Sequence, residues 1–182
     1  MERRPWEFLG GAMKNFLSIS FIFILSSMVF GQTPKAPTGW RFPQATDFSG
    51  DWKTNRKKVP SPYKISGDFN GDGLKDEGWI LIPTTGKAMG VFVFLRQRDN
   101  SYRTVQLDYF EGERPQESYI SVAPKDKYQT ACGKGYWDCS ANEPAVLDLK
   151  TEGIFFGVYE SGSKIFYWSA LRKTFESVAI SD

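Results

Sequence analysis

The run Trp79-Ile80-Leu81-Ile82, the break Thr84-Thr85-Gly86-Lys87 and the run Val91-Phe92-Val93-Phe94-Leu95 decide the fold class. Short β-branched and aromatic runs bounded by turn residues are the signature of strands. The second run leads to a turn at Asp99-Asn100-Ser101. Beyond it, Arg103 to Tyr109 alternates Val105 and Leu107 with Thr104, Gln106 and Asp108, a strand with one wet face. Tyr119-Ile120-Ser121-Val122 and Ala145-Val146-Leu147-Asp148-Leu149 continue the series. Gly153 to Glu160, Ile165 to Trp168 and Phe175 to Ile180, parted by turns at Ser161-Gly162-Ser163 and near Arg172-Lys173, predict an antiparallel meander. No helix-period stretch of useful length follows residue 62. The expectation is a mainly β, compact antiparallel domain over residues 63–182.

Upstream, residues 32–62 are rich in proline, glycine and polar residues and carry Trp40, Phe42, Phe48 and Trp52. Leaving such aromatics in water is costly, so this irregular arm is expected to lie over the domain and bury them. Asp47 to Asn55 is read as a short helical turn. The segment from Gln32 to Pro37 suits a flexible spacer better.

Residues 1–31 read as a signal peptide. Lys14 precedes the apolar run Phe16 to Leu25, and small residues follow before Val29-Phe30-Gly31, with cleavage expected after Gly31. The alternative is a retained anchor, but the apolar stretch is short against the roughly 20 residues that cross a hydrocarbon core. Glu2 and Glu7 are unusual in such a position, and Met13 is an alternative start. The domain is therefore expected to be exported, to the periplasm or the extracellular space, with no stable membrane span after processing.

The whole chain of 182 residues has 23 basic and 21 acidic side chains, and the balance stays near neutral once the leader is set aside. Bulk charge therefore implies no nucleic-acid partner. There is no histidine, which removes the commonest general base and the commonest transition-metal ligand. The two cysteines, Cys132 and Cys139, bracket a short glycine-bearing loop and are expected to form a disulfide in an oxidising compartment. Tyr136 and Trp137 inside that loop offer a contact for a protein or carbohydrate partner, or else fold back onto the sheet.

The chemistry-bearing stretch is Asp68-Phe69-Asn70-Gly71-Asp72-Gly73-Leu74-Lys75-Asp76. A hard cation such as Ca²⁺ takes six to eight oxygen ligands, and alternate positions of a tight loop can converge on one point. Asp68, Asn70 and Asp72 would supply side-chain oxygens. Gly73 permits the sharp turn, Leu74 would present its carbonyl, and Asp76 would add a carboxylate directly or through water. An EF-hand requires Glu at the twelfth place, counting Asp68 as the first, where this chain has Trp79. The competing reading is that Asn70-Gly71 and Asp72-Gly73 are only the turn dipeptides of a hairpin.

This pattern, leading directly into an apolar strand, resembles the calcium loops of FG-GAP and VCBS-type repeats of exported bacterial proteins. The resemblance covers Ile65 to Pro83. It implies that Asp68, Asn70, Asp72, the Leu74 carbonyl and Asp76 hold Ca²⁺ and brace the strand that follows. Only one copy is present, and propellers need several, so a full propeller is not expected.

Other constellations are weaker. Ser61 to Lys64 and Ser161 to Lys164 match S-x-x-K, but one lies in a proline-bearing arm and the other in a turn, without the companion motifs. Glu111 and Glu113 fall in a glycine-containing loop that reads as exposed. The function expected is thus a non-catalytic binding or envelope-associated module with a structural calcium. A secreted hydrolase, or an inhibitor of one, is the alternative.

Overall fold

The structure is a computed structural model that describes residues 33–182. The expected leader, its cleavage point and the choice between Met1 and Met13 lie outside the described residues. Eleven strands are formed among the described residues: β1 (Trp40–Arg41), β2 (Lys64–Gly67), β3 (Asp76–Pro83), β4 (Ala88–Arg96), β5 (Tyr102–Glu111), β6 (Ser118–Ala123), β7 (Lys127–Gln129), β8 (Val146–Asp148), β9 (Gly153–Val158), β10 (Ser163–Ser169) and β11 (Thr174–Ser181). One short α-helix, α1 (Gly50–Thr54), lies ahead of β2 among the described residues, with 3-10 turns at Ala45–Asp47 and Pro115–Glu117.

Two antiparallel sheets carry the fold. In the first, β3 pairs with β4 and β4 with β5, while β1 and β2 share the other edge of β3 at its opposite ends. The second has the order β11-β10-β9-β6, and its β9-β10-β11 part is the expected meander. The apolar faces of the two sheets meet: Ile80, Met89, Val91, Val93 and Leu95 from β3 and β4 share one core with Ile120, Ile154, Phe156 and Phe166. This is a sandwich of two sheets, each burying alternate side chains of its strands.

The outer faces are covered as well. Leu81, Phe92 and Phe94 point away from the main core and are buried under Trp40, Phe42 and Ala36 of the arm. Eight of the nine residues of β4 are buried for this reason, which explains its unbroken apolar run. On the far side, Ile165, Val178 and Ile180 pack against Leu147 and Leu149, next to the β7-β8 ribbon.

The arm is therefore built into the fold. Trp40 meets Phe92 edge-on at 5.0 Å between ring centres, and Phe42 meets Trp79 at 4.6 Å. Trp52 of α1 is fully buried and donates its indole N–H to the Ser118 carbonyl at 2.7 Å. The irregular arm read from the sequence also contributes a strand, β1, whose two residues pair with Ile82 and Pro83. Its brevity explains why composition hid it. Residues 145–149, expected as one more strand of the main series, instead supply β8 of a separate two-stranded ribbon, with β7 as its partner.

Candidate metal centre

Asp68 to Lys75 forms the connection of the β2-β3 hairpin, closed at its base by the pairing of Gly67 with Asp76. The fully buried Phe69 pins the loop into the main core. Gly71 and Gly73 hold left-handed backbone, at φ 77° and 82°, the conformation that glycine adopts without steric cost.

The loop winds around its own acidic side chains. One carboxylate oxygen of Asp68 accepts the Gly71 and Asp72 N–H groups at 2.8 and 3.1 Å, and the other accepts Gly73 N–H at 3.0 Å. Asn70 Oδ1 accepts Asp72 N–H, while Asn70 Nδ2 donates to Asp72 Oδ2 at 2.9 Å. The other oxygen of Asp72 accepts Leu74 N–H at 2.8 Å. Asp68, Asn70 and Asp72 are thus drawn together on the exposed side.

Asp76 lies at the start of β3, fully buried. One oxygen accepts Phe69 N–H at 3.1 Å and the other accepts Arg96 N–H at 2.8 Å. Burial pushes its carboxyl up to about 6; the two N–H bonds oppose this, and the negative charges of Asp72 and Asp68 add to it. Asp76 therefore feels the charges of the other two carboxylates. None of the ion pairs formed among the described residues involves Asp68, Asp72 or Asp76.

A residue that local motif reading passed over completes the loop. Glu152, between β8 and β9, accepts the Asp68 N–H at 2.8 Å, and Thr151 donates to the Phe69 carbonyl at 3.4 Å. A Cβ on Gly67 would stand 2.5 Å from a Glu152 carboxylate oxygen and 2.9 Å from the Phe69 ring, so a larger residue there would push both side chains aside. The glycine was visible in the sequence, but its partner is 84 residues away. Among the described residues no three His, Cys, Asp or Glu side chains already stand in a metal-holding group. The oxygens of Asp68 and Asp72 are instead turned onto loop N–H groups. Each ionised carboxylate still has lone pairs beyond these bonds, so the donor set of carboxylates, amide and carbonyl suits a hard cation.

No family model, curated protein or solved structure matches this chain.

Elsewhere, Cys132 and Cys139 are bridged, with 4.9 Å between their Cα atoms. Such a bond belongs to an oxidising, exported environment. It holds a loop on which Tyr136 and Trp137 are 55% and 39% exposed. The loop is tied to β11, since Ala131 N–H donates to the Ala179 carbonyl and Lys134 Nζ to the Ile180 carbonyl. Of the S-x-x-K lysines, Lys64 pairs with Glu77 and Lys164 with Asp108. Glu111 and Glu113 are exposed. No helix among the described residues is long and apolar enough to cross a membrane.

Proposed function

We propose that this chain is an exported β module braced by calcium at the β2-β3 loop, acting by binding and not by catalysis, in the periplasm or outside the cell. The observation that carries the reading is that Asp68 and Asp72 in one hairpin connection, and the buried Asp76 at its base, have no ion-pair partner among the described residues. Like charges held together in a partly dry site repel, and a divalent cation reverses the sign of that interaction. Asp68, Asn70, Asp72, the Leu74 carbonyl and Asp76 would hold it. Calcium would supply rigidity to the strand that enters the sandwich core. Tyr136 and Trp137 are the proposed partner contact.

The test is thermal unfolding in chelator and then with added Ca²⁺. Extracellular modules bind at about 10⁻⁴ to 10⁻³ M, so 10 mM cation adds about 1.4 to 2.7 kcal/mol of stability. That corresponds to a melting temperature higher by about 3 to 11 °C for a domain of this size. Asp72→Asn should reduce the response. A wild-type melting temperature indifferent to Ca²⁺ removes the reading.

A further inference from the structure

A second site lies on the outer face of the meander, beside the disulfide-closed loop. There a groove of about 250 Å³ is lined by Ser140, Asn142, Glu143, Tyr167, Glu176 and Ser177. Its floor is cross-strand: Tyr167 and Glu176 are direct partners in the β10-β11 register. Its wall is the chain that follows the disulfide.

The carboxylates of this groove are held in place by aromatic donors. Trp137 Nε1 donates to Glu143 Oε2 at 3.1 Å, and Tyr167 Oη donates to Glu176 Oε2 at 3.2 Å. Arg172 pairs with the other oxygen of Glu176 at 3.5 Å, which offsets one of the two charges. Trp137 is partly open to solvent and is linked to the groove by its bond to Glu143, with Tyr136 next to it in the chain. The disulfide fixes one end of this wall and the bond from Thr130 Oγ1 to the Pro144 carbonyl, at 2.8 Å, the other, so it loses little freedom on binding.

We infer that this groove binds a neutral saccharide. A sugar ring carries many hydroxyl donors around an apolar C–H face. Ionised carboxylates are pure acceptors, Asn and Ser both donate and accept, and an exposed indole presents an apolar face with its polar handle already engaged. The pre-set acceptors and the open aromatic together match those two halves of a sugar. The groove is just below the size of a drug-sized pocket, which suits one or two rings. A protein partner would need about 800 Å² per side. This deepens the partner part of the proposed function and is independent of the calcium loop.

The experiment uses the disulfide-intact protein and four probes: glucose, N-acetylglucosamine and the β-1,4-linked trimer of each. Isothermal titration and tryptophan fluorescence are recorded in chelator and in Ca²⁺. Saturable binding of at least one probe is expected, and Trp137→Ala and Glu143→Gln should each weaken it about tenfold or more. Melting curves check that both variants are folded, and Leu171→Ala serves as an exposed control with unchanged affinity. The inference is overturned if no probe binds saturably at about 50 mM, or if either Trp137→Ala or Glu143→Gln binds as tightly as the unsubstituted protein. Sugar binding without a Ca²⁺ response would sink the calcium reading alone, and the converse would sink this one alone.

Discussion

Replacing Trp52 tests whether the N-terminal arm is a structural part of the domain. The side chain is fully buried, lies 5.7 Å from Phe48 and 5.3 Å from Tyr63 between ring centres, and donates to the Ser118 carbonyl on β6. Truncating a buried aromatic to alanine costs about 3 to 5 kcal/mol. A buried carbonyl that loses its donor costs a further 1 to 3 kcal/mol or so unless water replaces the indole. Trp52→Ala should therefore destabilise by about 4 kcal/mol or more, and Trp52→Phe, which keeps a ring but no N–H, by about 2 kcal/mol. Urea unfolding at 25 °C measures both, with a shifted midpoint and an unchanged slope as the mark of a native-state effect. The alanine variant should also melt about 8 to 16 °C lower. A loss below about 1 kcal/mol for Trp52→Ala would show that the arm packs loosely and that the core is complete without it.

Three further predictions concern the loops. In chelator, the raised carboxyl of Asp76 means the folded state holds its proton more tightly than the unfolded chain. Its contribution is favourable at low pH and is lost as pH rises from about 4 through about 6, by roughly 3 kcal/mol. Comparing wild type with Asp76→Asn across that window isolates the effect, and parallel stability curves would contradict it. Gly73→Ala should cost only left-handed strain, about 1 to 2 kcal/mol, since a Cβ there meets nothing within 4 Å. Gly71→Ala should cost more, because its Cβ would also stand 2.7 Å from Thr151 Cγ2; chemical unfolding ranks the two. Replacing both Cys132 and Cys139 with serine should lower stability by about 2.5 kcal/mol on the loop-entropy estimate, read as a drop in urea midpoint.

The strands that face the main core were legible because their apolar residues are contiguous or alternate. β4 is the clearest case: Val91 to Leu95 is apolar without interruption because the second sheet covers one face and the arm covers the other. β7 gave no such signal, since Lys127 and Gln129 are exposed and only Tyr128 is partly buried. β1 is two residues long, too short for any period to show. The acidic loop was legible as a local motif, whereas Glu152 was not, because its bond to Asp68 spans 84 residues. Likewise, Glu143 and Glu176 border one groove only because the disulfide loop is tied down against β11. Sequence spacing reveals sites built within one turn and is silent on those made by folding distant turns together.

The bond from Asp68 to Glu152 places an order on events. The hairpin connection can be drafted early, from neighbouring residues alone, but its last hydrogen bond arrives only after the chain beyond β8 has been delivered and docked. A contact of such long separation must first meet the entropy of closing a long loop. During refolding, this corner should thus reach its final geometry as one of the closing acts of assembly, reporting that both halves of the molecule are in place.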